Sequence, residues 1–147
     1  MNNIEVIGGK PRQRELVESI AHYVIKKLMP RTTTLDITIR LKTIHEAAGY
    51  CLSYDRREFE LEIKRDLKLA DLLKTVAHEL VHVKQYAKGE LKPGKLDAPV
   101  WQGRSVSLTK NNYWDLPWEI EAHGREHGLF IRWADQEGLL NKKWANP

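Results

Sequence analysis

Residues 69 to 88 read Leu-Ala-Asp-Leu-Leu-Lys-Thr-Val-Ala-His-Glu-Leu-Val-His-Val-Lys-Gln-Tyr-Ala-Lys, and Gly89 follows. Leu69, Leu72, Leu73, Val76, Leu80 and Val83 recur at helical intervals, so the stretch predicts a helix that Gly89 stops. At 100° per residue these six form one apolar stripe, whereas His78 and His82 stand about 180° to 220° from Leu69. The stripe packs without the histidines. Apolar Ala77 and Val81 flank them, which is odd for a face turned to water.

His78, Glu79 and His82 spell His-Glu-x-x-His. Residues four apart on a helix stand one turn above each other, so both imidazoles can share one ion. Zinc accepts neutral imidazole, and a catalytic zinc keeps three protein ligands and an open position. Glu79 points to one side of the pair. It is the candidate general base, able to take a proton from an attacking water and hand it to a leaving amine. The expected cofactor is Zn²⁺, and the expected substrate a protein or peptide.

Working outward, residues 12–29 place Leu16, Val17, Ile20, Ala21, Val24, Ile25, Leu28 and Met29 at helical spacing before Pro30. Leu35, Ile37, Ile39 and Leu41 alternate with polar residues, as do Phe59, Leu61 and Ile63, the period of a half-buried strand. With Tyr50, Leu52 and Tyr54 between them, these predict an antiparallel meander. Residues 89–113 predict a long loop, with a short strand near Val106; a loop of that length in a compact domain is usually functional. A last helix should start after Asp115 as N-cap, with Pro117 in its first turn, and end near Gly138. The expected class is therefore α+β: N-terminal helix, small and mainly antiparallel sheet, motif helix, long loop, C-terminal helix.

No His or Cys lies between His82 and His123, so a third metal ligand is sought on that last helix. On its wheel Ala122, Leu129, Phe130 and Trp133 fall within about 80° of Glu119, while Glu121 sits near 200° and should face water. A carboxylate on a buried stripe needs a cation, which favours Glu119 over His123 and Glu121. Glu126 shares the stripe and is placed to orient a ligand imidazole or to meet a Lys or Arg. Tyr113 or His123 could donate to an oxyanion. His22, His45 and His127 read as structural or solvent-facing, and Trp101, Trp114, Trp118, Trp133 and Trp144 as core or cleft wall.

His78-Glu79-Leu80-Val81-His82 with the later Trp118-Glu119-Ile120-Glu121-Ala122-His123 resembles the gluzincin side of the zincin metallopeptidases. In that group the third ligand is a Glu followed three residues later by a small residue, and Glu119 and Ala122 match. The order of elements over residues 12–137 is similar to minimal zincins, including the SprT-like and ImmA/IrrE-like peptidases of bacteria and phages. SprT-like proteins usually take a third His closer behind the motif, and this chain has none there. The resemblance implies a minimal zincin-like domain that hydrolyses peptide bonds, with extended substrate held by β-augmentation along residues 57–64 or 50–54.

At 147 residues the chain fits one domain, residues 1–147. A single Cys51 excludes an internal disulfide, the start lacks a secretory pattern, and no apolar run reaches the roughly 20 residues of a membrane span. A soluble, cytoplasmic protein with no membrane association is expected. Of the net charge of +4, residues 84–110 contribute Lys84, Lys88, Lys92, Lys95, Arg104 and Lys110 against Glu90 and Asp97. Nucleic acid is thus a conceivable partner, and a zinc-stabilised regulatory or nucleic-acid-associated binding module without peptidase activity is the alternative to the enzyme. Glu79 separates the two, because a structural zinc site has no use for a carboxylate beside an open position.

Overall fold

Alternation of apolar and polar residues builds the main sheet of the computed structural model, which describes residues 1–146. Its strands are β1 (Asn3–Gly8), β2 (Asp36–Lys42), β3 (Gly49–Ser53) and β4 (Glu58–Lys64), in the order β1-β2-β4-β3. Register sets Ile37 beside Phe59, Ile39 beside Leu61 and Leu41 beside Ile63, so the apolar rows line one face. All six are buried, each worth roughly 1.5–3 kcal/mol against exposure. The opposite face carries the cross-strand ion pairs Arg40–Glu60 and Lys42–Glu62.

The sheet corrects the expected antiparallel meander. β1 runs parallel to β2 and β2 parallel to β4; only β3 is antiparallel, to β4. A period of two records which face is buried and says nothing of strand direction. Direction comes from β1, with Ile4 and Val6 ahead of Gly8, which the periodicity analysis passed over. The helix α1 (Pro11–Leu28) carries the chain from β1 back to the start of β2, as a parallel crossover requires.

Three helices pack together with the sheet's apolar face. α1 buries Leu16, Val17, Ile20, Ala21, Val24 and Ile25. α2 (Leu69–Ala87) packs against α1, β3 and β4 on one side and α3 (Pro117–Gln136) on the other. It is therefore buried without a break from Val76 to Gln85, histidine face included. α3 contributes Ala122, Leu129, Phe130, Trp133 and Ala134, and the Trp133 indole N–H donates to Ser19 Oγ at 2.9 Å. The N-cap expected at Asp115 is displaced. Tyr113–Asp115 form a 3₁₀ turn capped by the Asn112 side chain, and α3 starts after Leu116 with Pro117 in first place.

The stretch 89–113 is not a plain loop. It folds into a second, three-stranded antiparallel sheet of β5 (Leu91–Lys95), β6 (Ala98–Trp101) and β7 (Arg104–Ser105). The strand expected near Val106 lies just before it, as β7. Pro93 and Gly94 hid β5 from pattern analysis, because the pairing slips between Lys92 and Lys95. A side chain at Gly94 would stand 2.0 Å from the Ala98 carbonyl oxygen, so only glycine allows the approach. Among the described residues no helix is long and apolar enough to cross a membrane.

Ala122 is fully buried in the core shared with the other helices. Ala122→Leu should overpack that core and cost about 1–3 kcal/mol, read as a lower urea midpoint; an unchanged midpoint would mean that α3 has room to spare.

Candidate metal centre

Two turns of α2 and the first turn of α3 place His78, His82 and Glu119 around one point. His78 Nε2 lies 3.1 Å from Glu119 Oε1, and His82 Nε2 lies 3.2 Å from Glu119 Oε2. A tetrahedral ion with ligands at about 2.0–2.1 Å sets neighbouring ligand atoms roughly 3.3 Å apart, so the donor set and spacing fit zinc. Glu119 sits at the third position of α3, where the helix dipole favours a carboxylate.

The outer hydrogen bonds decide which ring nitrogens face this point. Gln85, fully buried on α2, donates its amide to the Trp118 carbonyl at 2.9 Å and to Glu121 Oε1 at 2.9 Å. Its Oε1 must then accept, and it does so from His82 Nδ1 at 2.7 Å. Glu126 Oε1 accepts from His78 Nδ1 at 3.2 Å and also lies 2.8 Å from His123 Nδ1. With both Nδ1 protons committed, neutral histidines turn Nε2 lone pairs towards the Glu119 carboxylate. Two lone pairs and an anion cannot converge without a cation, either protons or a metal. Burial lowers the His78 pKa, but hydrogen bonds to Glu119 and Glu126 outweigh it and raise it to about 10. His82 is raised in the same way, while Glu119, despite burial, is held far below the carboxylate range by both imidazoles.

Glu79 lines a cleft of about 430 Å³ beside this point, with Tyr50 and Cys51 of β3, Tyr86, Tyr113 and Trp118. Burial pushes its carboxyl pKa up against the pull of the two histidines. Cys51 is half-buried there, its thiol raised by burial and by Glu79. β3 is, like β1, an edge strand of the sheet and borders the cleft, whereas β4 is paired on both sides. Of the two segments expected to hold substrate, residues 57–64 therefore have no free edge, and the edge belongs to Gly49–Ser53. A Cβ at Gly49 would stand 2.9 Å from the Glu62 carbonyl oxygen of β4 and 3.0 Å from Thr75 Cγ2 of α2, so glycine lets β3 pass close to both.

The Tyr113 hydroxyl donates to Glu119 Oε1 at 2.9 Å and lies 3.0 Å from His123 Nε2. Trp114 packs over the His123 ring, with centroids 4.8 Å apart. His123 thus reaches Glu126 and Tyr113 while Glu119 occupies the place between His78 and His82. His22, His45 and His127 are exposed, away from the cleft.

Glu121 corrects the expectation of a water-facing side chain. Its Oε2 lies 2.6 Å from Lys84 Nζ, and Lys84 is itself buried, with Glu90 at 2.8 Å. A helical wheel of α3 alone cannot show that α2 brings a buried lysine to that flank. Lys84 accordingly contributes nothing to an outward basic surface. Gln85 is the functional residue that the motif analysis missed; its signal was the i+3 position after His82 on the same helix.

Comparison with protein-family models, with curated proteins and with solved structures gives no match.

Although burial opposes it, hydrogen bonds from Lys84 and Gln85 lower the Glu121 pKa below its ordinary 4.5. A depressed carboxylate stabilises the fold above its unfolded pKa, and that contribution is lost as pH falls through the folded value. Glu121→Gln should therefore cost about 1–3 kcal/mol at pH 7, and its deficit against the parent should shrink on acidification below about pH 4.5. Urea unfolding at several pH values measures both; a deficit independent of pH would dismiss the ion pair as its source.

Proposed function

We propose that this chain is a zinc metallopeptidase of minimal zincin-like, gluzincin type, acting on proteins or peptides. One observation carries the proposal: His78 Nε2, His82 Nε2 and the Glu119 carboxylate converge within 4.8 Å of one another beside the cleft that Glu79 lines. The notable point is that Glu119 comes from a segment 37 positions beyond His82. His78, His82 and Glu119 would hold the ion, with Glu126 and Gln85 orienting the two imidazoles through Nδ1. Zinc, when bound, supplies Lewis acidity and lowers the pKa of water towards about 7.

The remaining steps belong to the chain's own groups. An extended peptide pairs its backbone with the free edge of β3 and so lays a carbonyl across the cleft. Glu79 takes the proton of the attacking water and returns it to the leaving amine. Its depressed acidity in the buried cleft suits both directions of transfer. The Tyr113 hydroxyl donates to Glu119 Oε1 and lies 3.0 Å from His123 Nε2, so it would serve the oxyanion by turning its one proton from the carboxylate to that oxygen.

Metal analysis of the purified, zinc-replete protein should find about one zinc per chain, and Glu119→Ala should lower zinc affinity by orders of magnitude. Undiminished zinc in Glu119→Ala would remove this residue from the coordination shell. Glu79→Gln should keep its zinc and lose about 10²- to 10⁴-fold in peptide hydrolysis. Full activity in that variant would contradict the assigned base, and zinc binding without hydrolysis in the parent would favour a zinc-stabilised binding module.

A further inference from the structure

His78 is shared between two groups of ligand atoms, one at each ring nitrogen. Its Nε2 lies 3.1 Å from Glu119 Oε1 on the side of His82, whereas its Nδ1 lies 3.2 Å from Glu126 Oε1, and that oxygen lies 2.8 Å from His123 Nδ1. Ligand atoms of His78, His123 and Glu126 fall within 4.8 Å of one another, as do those of His78, His82 and Glu119. The second group opens on a cavity of about 200 Å³, lined also by Ala48 and Thr75, neither of which lines the larger cleft. It is the more open of the two: the side chains of His123 and Glu126 are 34% and 24% exposed, against 9% and 12% for His82 and Glu119.

We propose that His78, His123 and Glu126 form an alternative station for the divalent ion, weaker than the first and exclusive of it. The inference rests on the proposed zinc centre and adds a second position for its ion. Donor chemistry is the first argument. Two imidazole nitrogens and a carboxylate oxygen repeat the donor set of the first triad, and zinc, whose d electrons impose no geometry, accepts such a set readily. The shared histidine is the second. A neutral imidazole carries a lone pair on one nitrogen and a proton on the other, so His78 serves one station at a time. With the ion at the first station, Glu126 accepts the His78 Nδ1 proton; with the ion at the second, that proton sits on Nε2, where Glu119 Oε1 accepts it. Each carboxylate is thus a ligand in one arrangement and the acceptor that orients His78 in the other. The surroundings are the third. Coordination through His123 Nδ1 leaves its Nε2 for the Tyr113 hydroxyl, 3.0 Å away, so the ring keeps its outer partner. Water reaches His123 and Glu126 more freely than the first triad, which makes the second station the weaker one.

The test is metal binding by the full chain, with zinc affinity read by competition against a chromogenic chelator, stoichiometry by metal analysis and folding by near-ultraviolet circular dichroism. The parent should hold one zinc even with the ion in excess. His82→Ala dismantles the first station alone and should still take one ion, weaker by more than the roughly 100-fold that loss of an orienting group costs. Glu119→Gln, which disables the first station without leaving a gap, should show the same residual binding. Adding His123→Ala to either variant should weaken that residue of binding by a further 100-fold or so, whereas His123→Ala alone should keep one zinc within about tenfold of the parent's affinity. His78→Ala should lose both stations. Residual binding that His123→Ala leaves unchanged, no residual binding in the folded His82→Ala and Glu119→Gln variants, or a second equivalent of zinc in the parent would overturn the alternative station and leave the first zinc, and the peptidase proposal, standing. A parent that binds no zinc would remove both.

Discussion

Three groups that carry lone pairs or negative charge face one another in a space nearly closed to water, and the rest of the arrangement follows from keeping them there. His78 and His82 are fixed in register by the helix alone, but Glu119 is held opposite them only because α3 lies along α2. The convergence is unfavourable unless a cation sits at its centre. Protons on the imidazoles or a divalent ion would each satisfy it. The outer acceptors Glu126 and Gln85 lie against the two Nδ1 atoms and leave both Nε2 atoms for the centre.

The packing of α2 explains how such a polar group can be buried at reasonable cost. One side of the helix is apolar and enters the main core; the other side meets polar partners from α3 at nearly every position. Lys84 finds Glu121 and Glu90, Gln85 finds Glu121 and the Trp118 carbonyl, and His78 finds Glu119 and Glu126. His78, Lys84 and Gln85 are thus paired, which is the condition for keeping polar and charged groups in an interior, whereas Glu79 is buried beside the cleft with no hydrogen-bond partner among the described residues. The same pairing draws Lys84 away from the basic stretch that it belongs to in sequence, so the outward charge of that segment rests on Lys88, Lys92, Lys95, Arg104 and Lys110.

The sheets divide the labour around this centre. The four-stranded sheet supplies the core under α2 and turns its one antiparallel strand, β3, to the cleft as a free edge. The three-stranded sheet supplies little to the core. Its contribution is lateral: Leu91, Pro93 and Pro99 line a separate groove that shares Tyr86, Leu91 and Trp118 with the cleft.

Local pattern was enough to locate the helices, the buried faces of β2 and β4, and the pair His78 and His82 with Glu79, because helical and strand periods are properties of the backbone itself. The apolar stripe of the last helix also pointed to Glu119, which the fold sets beside both imidazoles. Strand direction was beyond it. β1 carries only Ile4 and Val6 as signal, and without that strand nothing marks β2 as the end of a parallel crossover. The small sheet was hidden by Pro93 and Gly94, which read as loop residues until the slipped pairing with β6 explains them. Glu121 and Gln85 took their meaning from α3 lying against α2, a contact between residues some 36 positions apart that no helical wheel contains. Sequence by itself thus determined which side chains could share an ion, and tertiary packing decided which partners complete and orient them, because periodicity is set within one element whereas coordination and burial are set between elements.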